Sequence, residues 1–210
     1  MEYQYKRFTE GMLGSNTYLL WDIESKSALV IDPGNPLDSV QEAVIQEGLT
    51  VKFIVLTHGH YDHVCYIEDY KAAFHVPVAC TAQENRNLEK PYLNASVLFG
   101  SAVAYVPGEL VIGDGYVFDL NGRGEGPSVI YTPGHTSGGI CLLAGKILFT
   151  GDTLFYHSFG RTDLGDGSTP ILRASIDRLY AMEDDITILP GHGTKSTIGH
   201  EREENPFWDF

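Results

Sequence analysis

The sequence predicts an α/β chain in which two β-sheets pack face to face with helices on the outside. Three observations predict it. Pairs of short apolar runs are followed by segments of helical period, and this order runs through both halves of the chain. No compositional linker or low-complexity tract divides the 210 residues, so they read as one domain, 1–210, with a sizeable core. Finally, histidine or aspartate recurs just beyond the end of an apolar strand, at His58, His135, Asp152 and His192. Side chains placed there sit on rigid backbone and face an open sheet edge.

Taken in order, residues 3 to 8 read as an edge strand and Gly11-Met12-Leu13-Gly14 as a turn. Asn16–Trp21 and Ala28–Asp32 read as paired strands around the polar Glu24-Ser25-Lys26 turn, and Asp32-Pro33-Gly34 ends the second with turn chemistry. Leu37, Val40, Val44 and Ile45 recur at helical spacing, with Gly48 as the stop. Phe53–Leu56 reads as a buried strand. Asp62 is placed as the cap of a helix to about Phe74, with Val64, Ile67 and Ala72 facing the core. A short strand, Val76 to Cys80, and a short helix, Thr81 to Leu88, follow. Residues 90–107 are irregular and read as packed connection rather than as a cover over the site. Strands are expected at Leu110–Ile112, Tyr116–Phe118 and Ser128–Thr132, then a hairpin of Ile140–Leu143 with Ile147–Thr150. Thr169 caps a helix with Pro170 at its first position, carrying Leu172, Ile176 and Leu179. A last strand, Ile186–Leu189, precedes a final helix from Thr197 to about Glu204.

The chemistry concentrates in Thr57-His58-Gly59-His60-Tyr61-Asp62-His63. His58, His60, Asp62 and His63 are four ligand-type side chains within six residues, a density that points to metal. His58 and His60 can converge on one ion, whereas Asp62 and His63 lie round the next bend and suit a second. Two ions need roughly six to eight protein ligands, so more must come from further along. His135, in Pro133-Gly134-His135-Thr136, and His192, in Pro190-Gly191-His192-Gly193, repeat the strand-end placement. Asp152, in Gly151-Asp152-Thr153, is a carboxylate at the end of an apolar strand, an expensive position unless it meets a cation. Its two oxygens suit a bridge. Arg161 and Asp163 are expected to pair and hold their loop, which leaves Arg161 a weak candidate for substrate binding. His75 reads as structural and His200 as exposed.

The formal net charge of −14 and a pI near 4.8 disfavour nucleic acid and anionic membrane as partners. Cys65, Cys80 and Cys141 are odd in number and widely spaced, so they read as buried, reduced thiols, and a zinc role for Cys141 is the lesser alternative. The charged N-terminus lacks an apolar signal region and no stretch reaches the length of a membrane span, so cytoplasm is the expected location.

His58–His63, Thr132-Pro133-Gly134-His135-Thr136, Gly151-Asp152-Thr153-Leu154-Phe155 and Pro190-Gly191-His192-Gly193 together resemble the metallo-β-lactamase fold family, in the family's order and over nearly the whole chain. The resemblance implies an αββα sandwich of two mixed sheets. It implies one metal on His58, His60 and His135, a second on Asp62, His63 and His192, and Asp152 bridging. Gly160-Arg161-Thr162-Asp163, Thr197–Arg202 and Asn205-Pro206-Phe207 are most similar to the short glyoxalase II-like (hydroxyacylglutathione hydrolase-like) hydrolases, without the C-terminal helical extension that helps full-length relatives bind glutathione.

The implied activity is hydrolysis of a small-molecule thioester by a metal-bridging hydroxide, with Asp62 both ligand and catalytic orienting group. The implied cofactors are two divalent ions, zinc first and iron or manganese as alternatives. Other readings on the same fold are a mononuclear iron persulfide dioxygenase and a non-catalytic metal-binding module. A β-lactamase is disfavoured by the expected location. Oligomeric state and thiol carrier are left open.

Overall fold

A computed structural model of the chain describes residues 1–205; Pro206 and Phe207 of the tail motif lie outside the described residues. The first sheet has six strands in chain order: β1 (Tyr3–Phe8), β2 (Thr17–Asp22), β3 (Ser27–Ile31), β4 (Thr50–Val55), β5 (Val78–Cys80) and β6 (Leu110–Val111). It is antiparallel from β1 to β3 and parallel from β3 to β6. Parallel neighbours need a crossover. These are made by α1 (Leu37–Glu47) and by α2 (Tyr61–Val64) with α3 (Ile67–Phe74). The helix α4 (Ala82–Leu88) follows β5.

The second sheet contains β7 (Ser128–Tyr131), β8 (Ile140–Ala144), β9 (Ile147–Gly151), β12 (Thr187–Pro190) and β13 (Ser196–Thr197), in the spatial order β13-β12-β9-β8-β7. Only β12 and β9 are parallel in it, joined through α5 (Thr169–Tyr180). A small hairpin of β10 (Leu154–Phe155) and β11 (Ser158–Phe159) projects between them in sequence, and α6 (Ile198–Glu204) closes the described chain.

The period of two along the strands sorts the core into layers. In β2, Leu19 and Trp21 pack with Val40, Ala43 and Val44 of α1, while Tyr18 and Leu20 turn to the other sheet. Ala28 and Val30 of β3 likewise face the helices, and Leu29 and Ile31 meet Leu142 and Phe149 between the sheets. Leu148 and Ile188, on the far face of the second sheet, pack with Leu172, Ile176 and Leu179 of α5 and Ile198 of α6. The result is the expected αββα sandwich. No helix among the described residues is long and apolar enough to cross a membrane.

Several local expectations are corrected. The helix expected over 62–74 is two helices, because Tyr66 N donates to Pro33 O at 3.1 Å and the chain breaks there around the Asp32-Pro33-Gly34 turn. Asp62 therefore lies inside α2, with His60 at its N-cap, and Ala72 faces solvent. Ile45 is exposed on α1, off the face carrying Val40 and Val44. Ser168, not Thr169, is the N-cap of α5. Tyr116–Phe118 is no strand. Only Val117 bridges Ser128, and Phe118 is buried between the sheets as a loop residue. Cys80 and Cys141 are buried free thiols, but Cys65 is only half-buried. His75 is an exposed C-cap of α3 with φ +52.

Candidate metal centre

The two sheets deliver their ligand-type residues to one common edge. β4 runs through Leu56-Thr57 into His58 and His60, and α2 carries Asp62 and His63. β7, β9 and β12 end just before His135, Asp152 and His192. The edge is stitched together by Asn16, whose backbone N–H donates to Gly191 O at 2.7 Å and whose Nδ2 donates to Pro190 O at 2.8 Å.

All seven predicted ligand residues converge. His58, His60 and His135 bring ring nitrogens within 4.8 Å of one another, and a carboxylate oxygen of Asp62 and ring nitrogens of His63 and His192 are grouped as closely. Asp152 lies between the two groups. One of its oxygens is 3.4 Å from His63 Nε2 and the other is 3.5 Å from His135 Nε2 and 3.7 Å from His192 Nε2. His60 Nδ1 and His135 Nε2 stand 2.9 Å apart, and His63 Nε2 and His192 Nε2 3.1 Å apart. Cys141 has no part in the cluster. Its thiol meets Thr132 Oγ1 at 3.3 Å and Thr150 O at 3.7 Å.

Neighbours set which nitrogen of each ring faces inward. His135 donates from Nδ1 to Arg161 O at 2.6 Å, so its Nε2 lone pair faces the cluster. His63 donates from Nδ1 to Asp32 Oδ2 at 3.1 Å. Thr57 Oγ1 donates to that same oxygen at 2.6 Å and lies 3.1 Å from His58 Nδ1, which leaves His58 Nε2 pointing inward.

Sequence reasoning missed two supporting carboxylates. Asp32, which in the sequence reads only as turn chemistry, has φ +53 and holds Thr57 and His63. Glu84, fully buried in α4, accepts from Gly59 N at 2.7 Å, Thr136 Oγ1 at 2.6 Å and Gly138 N at 3.0 Å. It thereby ties the loop of His58 and His60 to the loop of His135. The only sequence signal for Glu84 was a carboxylate three residues after the Thr81 helix cap.

Electrostatics divides the cluster. Burial, then the neighbouring imidazoles, lower the basicity of His58 and His60, so both are neutral, as metal ligands must be. Burial lowers His135 as well. For His63 burial opposes the charge, but Asp152, Asp62 and Asp32 outweigh it and raise the group to about 10. For Asp62 burial favours the neutral form, yet His63 and His192 hold it well below the usual carboxylate range.

The residues fit divalent metal. His58 Nε2 and Asp152 Oδ1 are buried with no hydrogen-bond partner, and each such orphan costs about 1–3 kcal/mol unless something answers it. A cation answers both. The imidazole and carboxylate donors suit zinc, iron or manganese.

Residues 11–192 match the Metallo-beta-lactamase superfamily. The chain belongs to that family. Among its relatives, the hydroxyacylglutathione hydrolase GloC of Haemophilus influenzae is 34% identical over 91% of this chain and 92% of its own. The crystal structure of BLEG-1, described as a B3 metallo-beta-lactamase, is 32% identical with a TM-score of 0.89, covering 97% of this chain and 99% of its own. TTHA1623, solved in a di-iron-bound form, is 31% identical with a TM-score of 0.85, covering 96% and 99%. Kinship to metallo-hydrolases thus accompanies the clustered histidines and aspartates.

A cavity of about 330 Å³ opens onto His60, Asp62, His135, Asp152 and His192. Its remaining walls are Leu13, Ala95, Leu98, Phe99, Phe155, Phe159, Leu164 and Arg161. Residues 90–107 are therefore more than connection, since Ala95, Leu98 and Phe99 form one wall. Arg161 pairs with Asp163 as expected, through two bonds of 2.7 Å, and still borders the cavity.

Proposed function

We propose that this protein is a glyoxalase II-like thioesterase that cleaves S-acyl, including hydroxyacyl, thiol adducts, with two divalent ions held by His58, His60 and His135, by Asp62, His63 and His192, and by Asp152 between them. One observation carries the reading. Apart from the cluster itself, the cavity wall formed by the described residues carries no proton donor for a leaving group, since it is apolar except for Arg161, which keeps its proton. A thiolate leaves without protonation because free thiols have a pKa of about 8.5, whereas an amide nitrogen needs a proton. The kinship to GloC points the same way.

Bound ions of this kind supply Lewis acidity and a water whose pKa falls from about 16 towards 7. The chain does the rest. Asp62, held ionised by His63 and His192, accepts a hydrogen bond from the attacking water and aims it. Phe155, Phe159 and Leu98 hold the acyl group and exclude bulk water. Arg161, steadied by Asp163, meets polar or anionic substituents at the cavity wall. In this reading the protein works in the cytoplasm on a small-molecule thioester, with neither nucleic acid nor membrane as partner.

The likeness to BLEG-1 favours a second reading, β-lactam hydrolysis, which the missing proton donor disfavours. Metal content and hydrolysis of S-D-lactoylglutathione, measured together, test the proposal. Two ions per chain with steady thiol release support it. Faster turnover of a chromogenic cephalosporin favours the second reading. A single iron, no thiol release and oxygen uptake with glutathione persulfide would replace both with a dioxygenase.

A further inference from the structure

A second group of ligand-type side chains lies outside the cavity. β10 and β11 are joined by the two-residue turn Tyr156-His157, in which His157 has φ +51. His157 Nε2 is 2.7 Å from Nε2 of His200, on the solvent face of α6. The two rings lie 18° from parallel, and Tyr156 stacks on both. Beside them is Glu201, fully buried, with a carboxylate oxygen within 4.8 Å of a ring nitrogen of each imidazole. Its carboxylate accepts from His157 N at 2.8 Å, Asn205 Nδ2 at 2.9 Å and Ser196 Oγ at 2.5 Å.

The placement is built into the backbone. The β10–β11 turn holds His157 in the left-handed region, which favours glycine, and its N–H is anchored on Glu201. The N–H of His200 is capped by Thr197 Oγ1 at 3.2 Å. Little conformational freedom remains to be lost on bringing the two nitrogens together. The contact is a hydrogen bond when one ring carries its proton on Nε2; when both carry it on Nδ1 the two Nε2 lone pairs are left facing each other, a repulsion that a cation relieves, and the buried carboxylate adds negative charge beside them.

We propose that His157 and His200 form a second, peripheral site for one divalent transition-metal ion of the imidazole-preferring class, copper, nickel or zinc, backed by Glu201. Hard cations such as magnesium and calcium, which take oxygen ligands, are not its occupants. An ion there ties the hairpin whose Phe155 and Phe159 line the cavity to α6.

The test titrates the zinc-loaded protein with copper(II), counting copper taken up, zinc retained, and nitrogen splitting in the electron paramagnetic resonance spectrum. His200→Ala changes an exposed helix position, and His157→Gly suits the left-handed turn, so both variants keep the fold. The expected result is one copper per chain with a two-nitrogen signature in the wild type. Each variant should bind it at least about tenfold more weakly, with the zinc held by the central cluster unchanged. Because the comparison is between wild type and variants, it does not depend on the central cluster's own metal. Equal copper uptake in the wild type and both variants, or none in any, overturns the proposal.

Discussion

His63 donates from Nδ1 to Asp32 Oδ2 at 3.1 Å, and this bond turns its Nε2 towards Asp152, 3.4 Å away. Residues 31 positions apart thus set the orientation of a ligand-type side chain that no local sequence rule would orient.

Replacing Asp32 with Asn keeps a residue tolerant of φ +53 but cannot accept from Thr57 N, Thr57 Oγ1 and His63 Nδ1 together. Metal affinity at the Asp62, His63, His192 side should fall by about 10–100-fold, with secondary structure retained. Competition against a chromogenic chelator measures it. Unchanged affinity would remove Asp32 from the centre.

Metal loading should release a proton from His63. Free of metal, its pKa of about 10 makes it an imidazolium at neutral pH, and a ligand must be neutral. Affinity should therefore rise with pH up to about 10. The metal-free fold should show the opposite trend. A histidine whose folded pKa is raised contributes stability that is fully present below its ordinary 6.5 and lost as pH rises through about 10. Calorimetry in buffers of different ionisation enthalpy reads the released proton directly.

Glu84 should matter to stability without touching substrate. Every group bonded to its two oxygens is a donor: Gly59 N, Gly138 N, Thr136 Oγ1 and Asn87 Nδ2. In Glu84→Gln the new amide must face at least one of them, at a cost of about 1–3 kcal/mol. Urea denaturation of the metal-free variant checks the size, and a looser grip on metal at His58, His60 and His135 should accompany it.

Gly191 is required by space. A Cβ there would overlap Asp152 Oδ1 and come 2.7 Å from His63 Cε1. Gly191→Ala should lower metal content by displacing Asp152. Gly113→Ala, where a Cβ meets nothing within 4 Å, serves as the control and should change stability by no more than about 0.5 kcal/mol. Elemental analysis of both variants decides the matter.

The layers were legible because buried strands leave short apolar runs and helices a helical period, in an order repeated through both halves of the chain. Tyr18-Leu19-Leu20-Trp21 is an unbroken apolar run, as a strand buried on both faces requires, although only the structure shows that Leu19 and Trp21 face the helices and Tyr18 and Leu20 the other sheet. The signal failed at Phe118 and at Ile45. Phe118 is apolar and buried, yet its segment carries a single bridge to Ser128 through Val117 and forms no strand. Ile45 kept the helical spacing but faces water.

The ligand-type residues were legible for a different reason. Imidazole and carboxylate directly after apolar strands are costly unless they are used, and His58, His60, Asp62, His63, His135, Asp152 and His192 all stand in or near such positions. The sequence by itself therefore determined the layered architecture and the seven converging side chains. Tertiary structure alone decided what holds them, with Asp32 behind His63, Glu84 between two loops and Arg161 O on His135. It alone also decided the cavity wall from residues 95–99 and the meeting of His157 with His200. The physical reason is that a hydrogen bond between residues far apart leaves no periodicity in either segment, while its geometry depends on how the two sheets are stacked.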